Sequence, residues 1–374
     1  MKKQLIALGL SVAVVSGALM AAAESPRAWD ILRKIVLVPG VSGQEKPVAD
    51  FIQQSLPARL KVQRDDMHNV WFTIGSGQPH ILFVAHCDEL GWTVDSVTPD
   101  GKVKVKPGGG VLPQAAEAHA VLIYTAKGPV PGIIAPRPGY DERRPEGTTA
   151  QPYTAANFEI VLGVADEKEA RDLGVAEGNP VTIKKTIVDF APGMMATRAV
   201  DDRAGCAALL DAASRMDWDK LKGKTVTVAW DVQEETGLFG AAALAKVLQP
   251  DYVFAVDTFV SSDSPLESKR FAYMVVGGGA VLRAVDSSSI VPKFELRRVL
   301  AIARSRGIPV QVGSSRGGND GSVFLPGKTV DIPLAWPGSY APAGGSSSTS
   351  TRTRCSASPL RTLSRQASRP ATGS

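Results

Sequence analysis

The sequence predicts an α/β protein with a small β-barrel inserted into it. Three observations carry that prediction. Short runs rich in β-branched and apolar residues alternate with amphipathic helical segments over residues 24–91 and 190–340, the pattern of βα units. Between Trp92 and Asp189 the texture changes to short β-like runs split by Gly- and Pro-rich turns, as in a small barrel. In the alternating part, acidic or imidazole side chains stand directly after apolar strands, where ligands of open α/β sheets bind.

Residues 1–23 read as a secretory signal. Lys2 and Lys3 supply the charge, Leu5–Leu19 the apolar run, and Ala21-Ala22-Ala23 a cleavage site before Glu24. The expected destination is the periplasm or the medium, with no stable membrane association after cleavage. An uncleaved anchor is the alternative, since the apolar run nearly reaches spanning length. Ala28–Val38 has helical spacing and ends at Pro39-Gly40. Ser42 and Glu45 have the spacing of a capping box for the helix carrying Val48, Phe51, Ile52 and Leu56. Val70–Ile74 and Ile81–Ala85 are predicted strands, and the second runs straight into His86-Cys87-Asp88-Glu89. In extended backbone Asp88 shares a side with His86 and can orient its ring. His68, His80 and His119 lack such a setting and are read as ordinary polar residues.

In the inserted segment, residues 92–189, the expected strands are Trp92–Val97, Val103–Val105, Ala120–Thr125, Ile160–Val164 and Val181–Lys184. Asp166–Leu173 adds a helix, Lys106-Pro-Gly-Gly-Gly110 a turn, and Arg137–Gln151 an exposed loop. After it, Asp201-Asp202-Arg203 leads into a helix with Cys206, Leu209, Leu210, Ala213 and Met216 on one face; Asp201 taken alone reads as its cap. Val226–Val232 is a buried strand, Glu234 and Glu235 follow at its carboxyl end, and Gly237 turns into Ala241–Leu248. One carboxylate of such a pair can hold a metal while the other handles a proton; a solvated pair capping the next helix is the plain alternative. Tyr252–Val256 is a strand ending at Asp257. Phe294–Arg306 reads as a helix and Ile308–Val312 as a strand. The loop Gly317-Gly318-Asn319-Asp320-Gly321 allows a ligand close to the backbone, which makes Gly317, Gly318 and Asp320 candidates for substrate contact.

An apolar fraction of 44% beside 21% charged residues is that of a soluble globular chain. Five of the 42 basic residues and none of the 37 acidic ones lie in 341–374. The rest of the chain is therefore charge-balanced, and no basic face argues for nucleic acid. Three cysteines, Cys87, Cys206 and Cys355, are too few and too far apart for a disulfide framework. Cys87 and Cys206 neighbour the proposed ligands but are read as buried packing residues.

His86, Asp201, Glu234 with Glu235, and Asp257 form a carboxylate-rich set with a single imidazole, suited to two divalent ions with one Asp bridging. The chain here resembles the M42 family of metallo-aminopeptidases, relatives of the M20/M28 di-zinc hydrolases. The matching stretches are Val41-Ser-Gly-Gln-Glu45, Ala85-His-Cys-Asp-Glu-Leu-Gly91, Val200-Asp-Asp-Arg-Ala-Gly205, Val232-Gln-Glu-Glu-Thr-Gly237, Ala255-Val-Asp257 and Gly317-Gly-Asn-Asp320, in family order across most of Glu24–Gly338. The resemblance implies a mixed-sheet, three-layer α/β/α di-zinc peptidase domain whose inserted barrel mediates assembly. It implies two ions, Zn or Co, with His86 and Asp257 on one, Glu235 on the other and Asp201 bridging. Asp88 would stand behind His86, and Asp202 would join Asp201 in a strained double-Asp turn. Glu234 would deprotonate a metal-bridging water, which attacks a peptide carbonyl, and would then protonate the leaving amine. Substrates would be short peptides with a free N-terminus, and the protein a homo-oligomer, often a dodecamer in the family.

One departure stands out. The family carries a second histidine ligand soon after a Pro-x-x-Tyr sequence. Here Pro337-Gly-Ser-Tyr340 is followed by Ala341-Pro-Ala-Gly-Gly, and no histidine follows His119. Residues 341–374 are rich in Ser, Thr, Arg, Pro and Gly, without acids or apolar periodicity, a composition that cannot bury enough surface to fold. They are read as a disordered tail produced by a shift of reading frame near Gly338; a naturally disordered secreted tail is the alternative. The leading function is a secreted di-metal aminopeptidase. A deacylase or other amidohydrolase on the same site comes second, and an inactive peptide-binding scaffold short of a metal ligand third. A glucanase would need paired glycosidase carboxylates, and the sequence offers none.

Overall fold

The computed structural model describes residues 27–111, 113–137, 158–191, 193–221, 223–262, 274–339 and 353–354. The signal segment, the 138–151 part of the predicted loop, Cys355 and almost all of the tail lie outside them. In chain order the elements begin with α1 (Arg27–Ile35), α2 (Lys46–Ser55), β1 (Gln63–Arg64), β2 (Val70–Ile74) and β3 (His80–His86). The insert contains β4 (Gly91–Val97), β5 (Val103–Gly108), β6 (Ala120–Thr125), β7 (Gly128–Ile134), β8 (Glu159–Val161), α3 (Glu167–Asp172) and β9 (Pro180–Ile183). Then come β10 (Val188–Ala191), β11 (Met194–Ala196), α4 (Val200–Arg215), β12 (Thr225–Asp231), α5 (Phe239–Leu244) and β13 (Tyr252–Val260). The chain continues through β14 (Ala280–Val285), α6 (Lys293–Ser305), β15 (Val310–Ser314), β16 (Val330–Asp331), β17 (Leu334–Gly338) and β18 (Thr353–Arg354).

The main sheet runs in the order β1-β2-β12-β3-β13-β17-β14-β15, with β16 paired to β13. It is mixed: β12, β3, β13 and β17 are mutually parallel, β2 runs antiparallel to β1 and β12, and β14 runs antiparallel to β17 but parallel to β15. Alternate residues of a strand point to opposite faces, and both faces are buried. Leu82 and Val84 of β3 pack with Leu244 and Phe324, while Ala85 belongs to the cluster with Ile35, Ile52 and Leu210.

The inserted strands close into a barrel in the order β4-β5-β8-β7-β6-β9, filled by Trp92, Val103, Ile123, Ile160 and Val181. Trp92 stacks on Phe158 with ring centroids 5.3 Å apart. Strand β7, which carries Pro129 and Pro131, is absent from the sequence-based expectation. Its partner β8 pairs only with Ile133 and Ile134, so both prolines sit where that edge of β7 has no described partner and break no ladder bond.

The capping box expected at Ser42 and Glu45 does not form. Helix α2 starts at Lys46, and the Glu45 side chain makes no cap; it accepts the amides of Gly43 at 2.7 Å and Gln233 at 3.1 Å. Pro47 in the first turn needs no capped amide, which frees both polar side chains for work elsewhere. In the tail, β18 pairs antiparallel with Met194 and Met195 of β11. No helix among the described residues is long and apolar enough to cross a membrane.

Candidate metal centre

Parallel strands β12, β3 and β13 lie side by side, so their carboxyl ends share one edge of the sheet. His86 ends β3 and stands level with Asp231, which ends β12. Asp257 lies one residue past the Val256–Ala85 pair on β13. The strand continues to Val260, so Asp257 is within it rather than at its end. Asp201 arrives from the other side of the chain's insertion. Its backbone is extended, and so is not helical, at the start of α4, and a cis peptide bond joins it to Asp202. The two acids divide the labour. Asp202 is buried and accepts the Gly205 amide at 3.1 Å and the Trp336 indole N–H at 2.7 Å, which is the capping role the sequence suggested for its neighbour. Asp201 is left to face His86, with Oδ1 3.3 Å from Nε2.

His86, Asp201 and Asp257 form the one group among the described residues whose three donor atoms all lie within 4.8 Å of one another. His86 Nε2 is 3.9 Å from Asp257 Oδ1 and 4.0 Å from Glu234 Oε2. On the far side of the ring, Nδ1 lies 3.3 Å from Asp88 Oδ1. Asp88 also accepts the Ser42 hydroxyl at 2.6 Å and the amides of Glu234 and Glu235 at 3.0 and 3.2 Å. The residue predicted to orient the imidazole therefore also holds the turn carrying both glutamates. Gln233 enters that turn with φ +56°, and Glu45 secures its amide.

The donor chemistry fits divalent cations. Burial first, and then Asp201, push the Glu235 carboxyl well above its ordinary range. Asp257 is raised by burial and Asp201, against Arg283 and His86. Glu234 rises to about 9, mainly through burial, with His86 opposing and Asp320, Asp257 and Asp88 adding to it. Burial alone would lower His86, but Glu234, Asp201 and Asp88 overcome it and hold the ring well above its usual value. Without cations such a cluster must take up protons; divalent ions remove that cost. The cysteines take no part. Cys87 and Cys206 are buried and free, burial pushes both thiols up, and Cys206 gives its S–H to the His86 carbonyl at 3.1 Å.

Glu235 is not part of the three-donor group. The Gly loop of the barrel leans on it: a Cβ at Gly109 would stand 3.2 Å from Glu235 Cβ. The candidates for substrate contact have other partners. The Gly317 and Gly318 carbonyls accept from Arg283 Nη2 at 3.1 and 2.7 Å, and Asp320 is buried against Asp231. Two of the other histidines are hydrogen-bonded away from the cluster, His80 with Thr227 and His119 with the Glu117 carbonyl.

Three residues escaped the reading of the sequence. Arg283, 2% exposed, donates to Asp257 Oδ2 at 2.6 Å; a lone cation inside the apolar run Val281–Val285 was its only signal. Asp231, buried, forms a carboxyl pair next to the cluster with the candidate Asp320. Glu89 anchors the barrel junction by accepting Lys185 at 2.7 Å and the Gly40 amide at 3.1 Å.

Proteins similar to this chain bear on its identity. Residues 68–335 match the family model described as M42 glutamyl aminopeptidase. The glutamyl aminopeptidase of Lactococcus lactis is 28% identical over 300 residues, 78% of this chain and 82% of that protein. The lysyl aminopeptidase of Pyrococcus furiosus is 28% identical over 298 residues, 77% and 81%. Among solved structures, the TET1 peptidase of Pyrococcus horikoshii, which can assemble into a tetrahedron or a large octahedral shell, aligns with a TM-score of 0.78 at 30% identity, covering 87% of this chain and 94% of that one. The chain thus belongs to the M42 aminopeptidase family and is a hydrolase of peptide bonds.

Proposed function

We propose that the protein is a secreted di-metal aminopeptidase that removes N-terminal residues from short peptides. The observation that carries this is the convergence of His86, Asp201 and Asp257 within 4.8 Å, with Glu234 beside them at 4.0 Å from His86. The two buried clusters on opposite sheet faces support a three-layer α/β/α catalytic domain formed by 24–91 and 190–340, with 92–189 as the barrel insert. His86 and Asp257 would hold one ion, Glu235 the other, and Asp201 would face both. Zn or Co in those places would polarise the peptide carbonyl and acidify water. The chain's own residues do the rest. Asp88 fixes the imidazole and the Gln233–Glu235 turn. Glu234, whose carboxyl binds a proton readily in its buried setting, takes the proton from the attacking water and delivers it to the leaving amine.

The relatives' names differ in the residue they remove, glutamyl against lysyl, so side-chain preference is not carried across. Assembly into a homo-oligomer, with a dodecamer as the reference case, draws support from TET1 structures, one of them a dodecamer, and from Ile133, Val161 and Leu173 of the insert, which are exposed. Secretion rests on residues 1–23 and is checked by N-terminal sequencing of the mature protein, which should begin at Glu24. Chelator-stripped protein should regain hydrolysis of unblocked peptides when Zn or Co is restored. Cleavage of N-acylated peptides instead would favour the deacylase.

One observation favours a second reading. Among the described residues the one three-donor group lacks Glu235, and no histidine follows His119 in the sequence, so a second ion would have Glu235 and Asp201 without an imidazole. The family match stops at Ala335, just before the composition changes, which supports a frame shift near Gly338. Resequencing that region decides it. A restored histidine after the Tyr340 position would complete the site, whereas a confirmed frame would point to a weak or inactive scaffold.

A further inference from the structure

We propose that Arg283 limits how tightly the His86–Asp257 site binds a divalent ion, by claiming one oxygen of Asp257 for itself, and that it positions the Gly317–Gly318 loop in the same act. The inference rests on the metal reading above and deepens it. Arg283 sits on β14, separated from Asp257 on β13 by strand β17. The small residue Ala335, paired with Asp257 on one side and Val281 on the other, stands between them. The guanidinium reaches Asp257 Oδ2 at 2.6 Å and spends Nη2 on the Gly317 and Gly318 carbonyls. Asp286 Oδ2 adds a second anionic contact at 3.6 Å.

Two consequences point the same way. With Oδ2 taken, Asp257 presents Oδ1 alone toward His86; that oxygen also accepts the Thr258 amide at 2.6 Å. Ligation through one oxygen is weaker than through two. A buried guanidinium against a ligand oxygen also repels a dication, since charges in a dry interior are poorly screened. The other ligand of the site is tuned in the opposite sense: Asp88 behind His86 raises the basicity of the ring. An ion less neutralised by its ligands polarises a carbonyl more strongly, so Arg283 trades affinity for reactivity.

The test uses the full chain, stripped with chelator, and competition titration with Zn²⁺ and Co²⁺ beside steady-state kinetics. Arg283→Met should bind the ion about tenfold more tightly, with kcat reduced about tenfold, once the buried positive charge beside the ligand oxygen is gone. Arg283→Lys, which keeps the charge, should stay close to the parent in affinity. Arg283→Gln serves if the Met variant does not fold, with the same direction expected. A neutral variant that binds the ion equally or more weakly overturns the proposal, since a merely structural role predicts that result. Failure of the parent itself to bind any ion would instead remove the metal reading, and this inference with it.

Discussion

Asp88 accepts the backbone N–H of Glu234 at 3.0 Å, so the residue behind the imidazole also aims the residue assigned to move the proton. Its second oxygen takes the Glu235 amide and the Ser42 hydroxyl. Asp88→Asn keeps the shape but turns an NH2 group toward amide N–H donors and removes the negative charge facing His86. Ion affinity should fall about 10–100-fold, with kcat falling alongside. Metal titration of the purified variant checks this; an affinity equal to the parent's would sink the dual role.

Glu234 and Asp201 should separate proton transfer from ion binding. Glu234→Gln should leave ion content intact and lower kcat by about 10²–10⁴-fold, the usual worth of a positioned acid–base group. Asp201→Asn should deplete both ions, because its carboxylate faces both proposed places. Elemental analysis alongside kinetics reads both. Retained turnover in the first variant, or full ion content in the second, would refute the corresponding assignment.

The stripped protein should lose stability as pH rises. Glu45 in the folded chain titrates at about 7 and Glu234 at about 9, against ordinary values of 4.5, chiefly through burial. The folded state therefore holds protons that the unfolded chain has released, and that stabilisation, full below about pH 4.5, disappears as pH climbs through 7 and then 9. His86, raised above 6.5 by its carboxylate neighbours although burial opposes them, adds a contribution of the same sign. Thermal unfolding in chelator should give a melting temperature that falls between about pH 5 and pH 9, and added Zn should flatten that slope. A rise over this range would contradict the direction assigned to all three groups.

Gly109→Ala should damage the site from the barrel side. Gly109 has φ +84°, and a Cβ there would meet Leu90 Cδ2 at 2.3 Å as well as Glu235. The left-handed backbone alone costs about 1–2 kcal/mol for an L side chain. Reduced ion binding at the Glu235 place, with the His86 place retained, is the expected outcome of a titration. An undisturbed titration would mean that the barrel loop does not support the site.

Much of the fold was legible because strand and helix periodicity are local. The strands at Val70–Ile74 and His80–His86 and the helix over Lys293–Ser305 follow the spacing of their apolar residues, and the change of texture after Trp92 marked the barrel. The failures share a cause. Ser42 and Glu45 matched a local capping pattern, but their partners, Asp88 and Gln233, are far along the chain. Pro129 and Pro131 argue against a strand until it is seen that, among the described residues, one edge of β7 has no partner at those positions. Arg283 looked like an isolated charge in an apolar run because Asp257 lies two strands away.

By itself the sequence determined which chemistry was available: one strand-end imidazole, acids at the ends of apolar runs, and no histidine after His119 to complete a second ligand set. Only the tertiary structure decided which acids meet. Parallel pairing of β12, β3 and β13 puts three chain segments at one edge, and the turn at Asp201-Asp202 sends one carboxylate to the site and the other to a helix cap. Such roles depend on distances of a few ångströms between residues far apart in the chain, and it is those distances, together with burial, that make a carboxyl group a ligand, a proton carrier or a buttress.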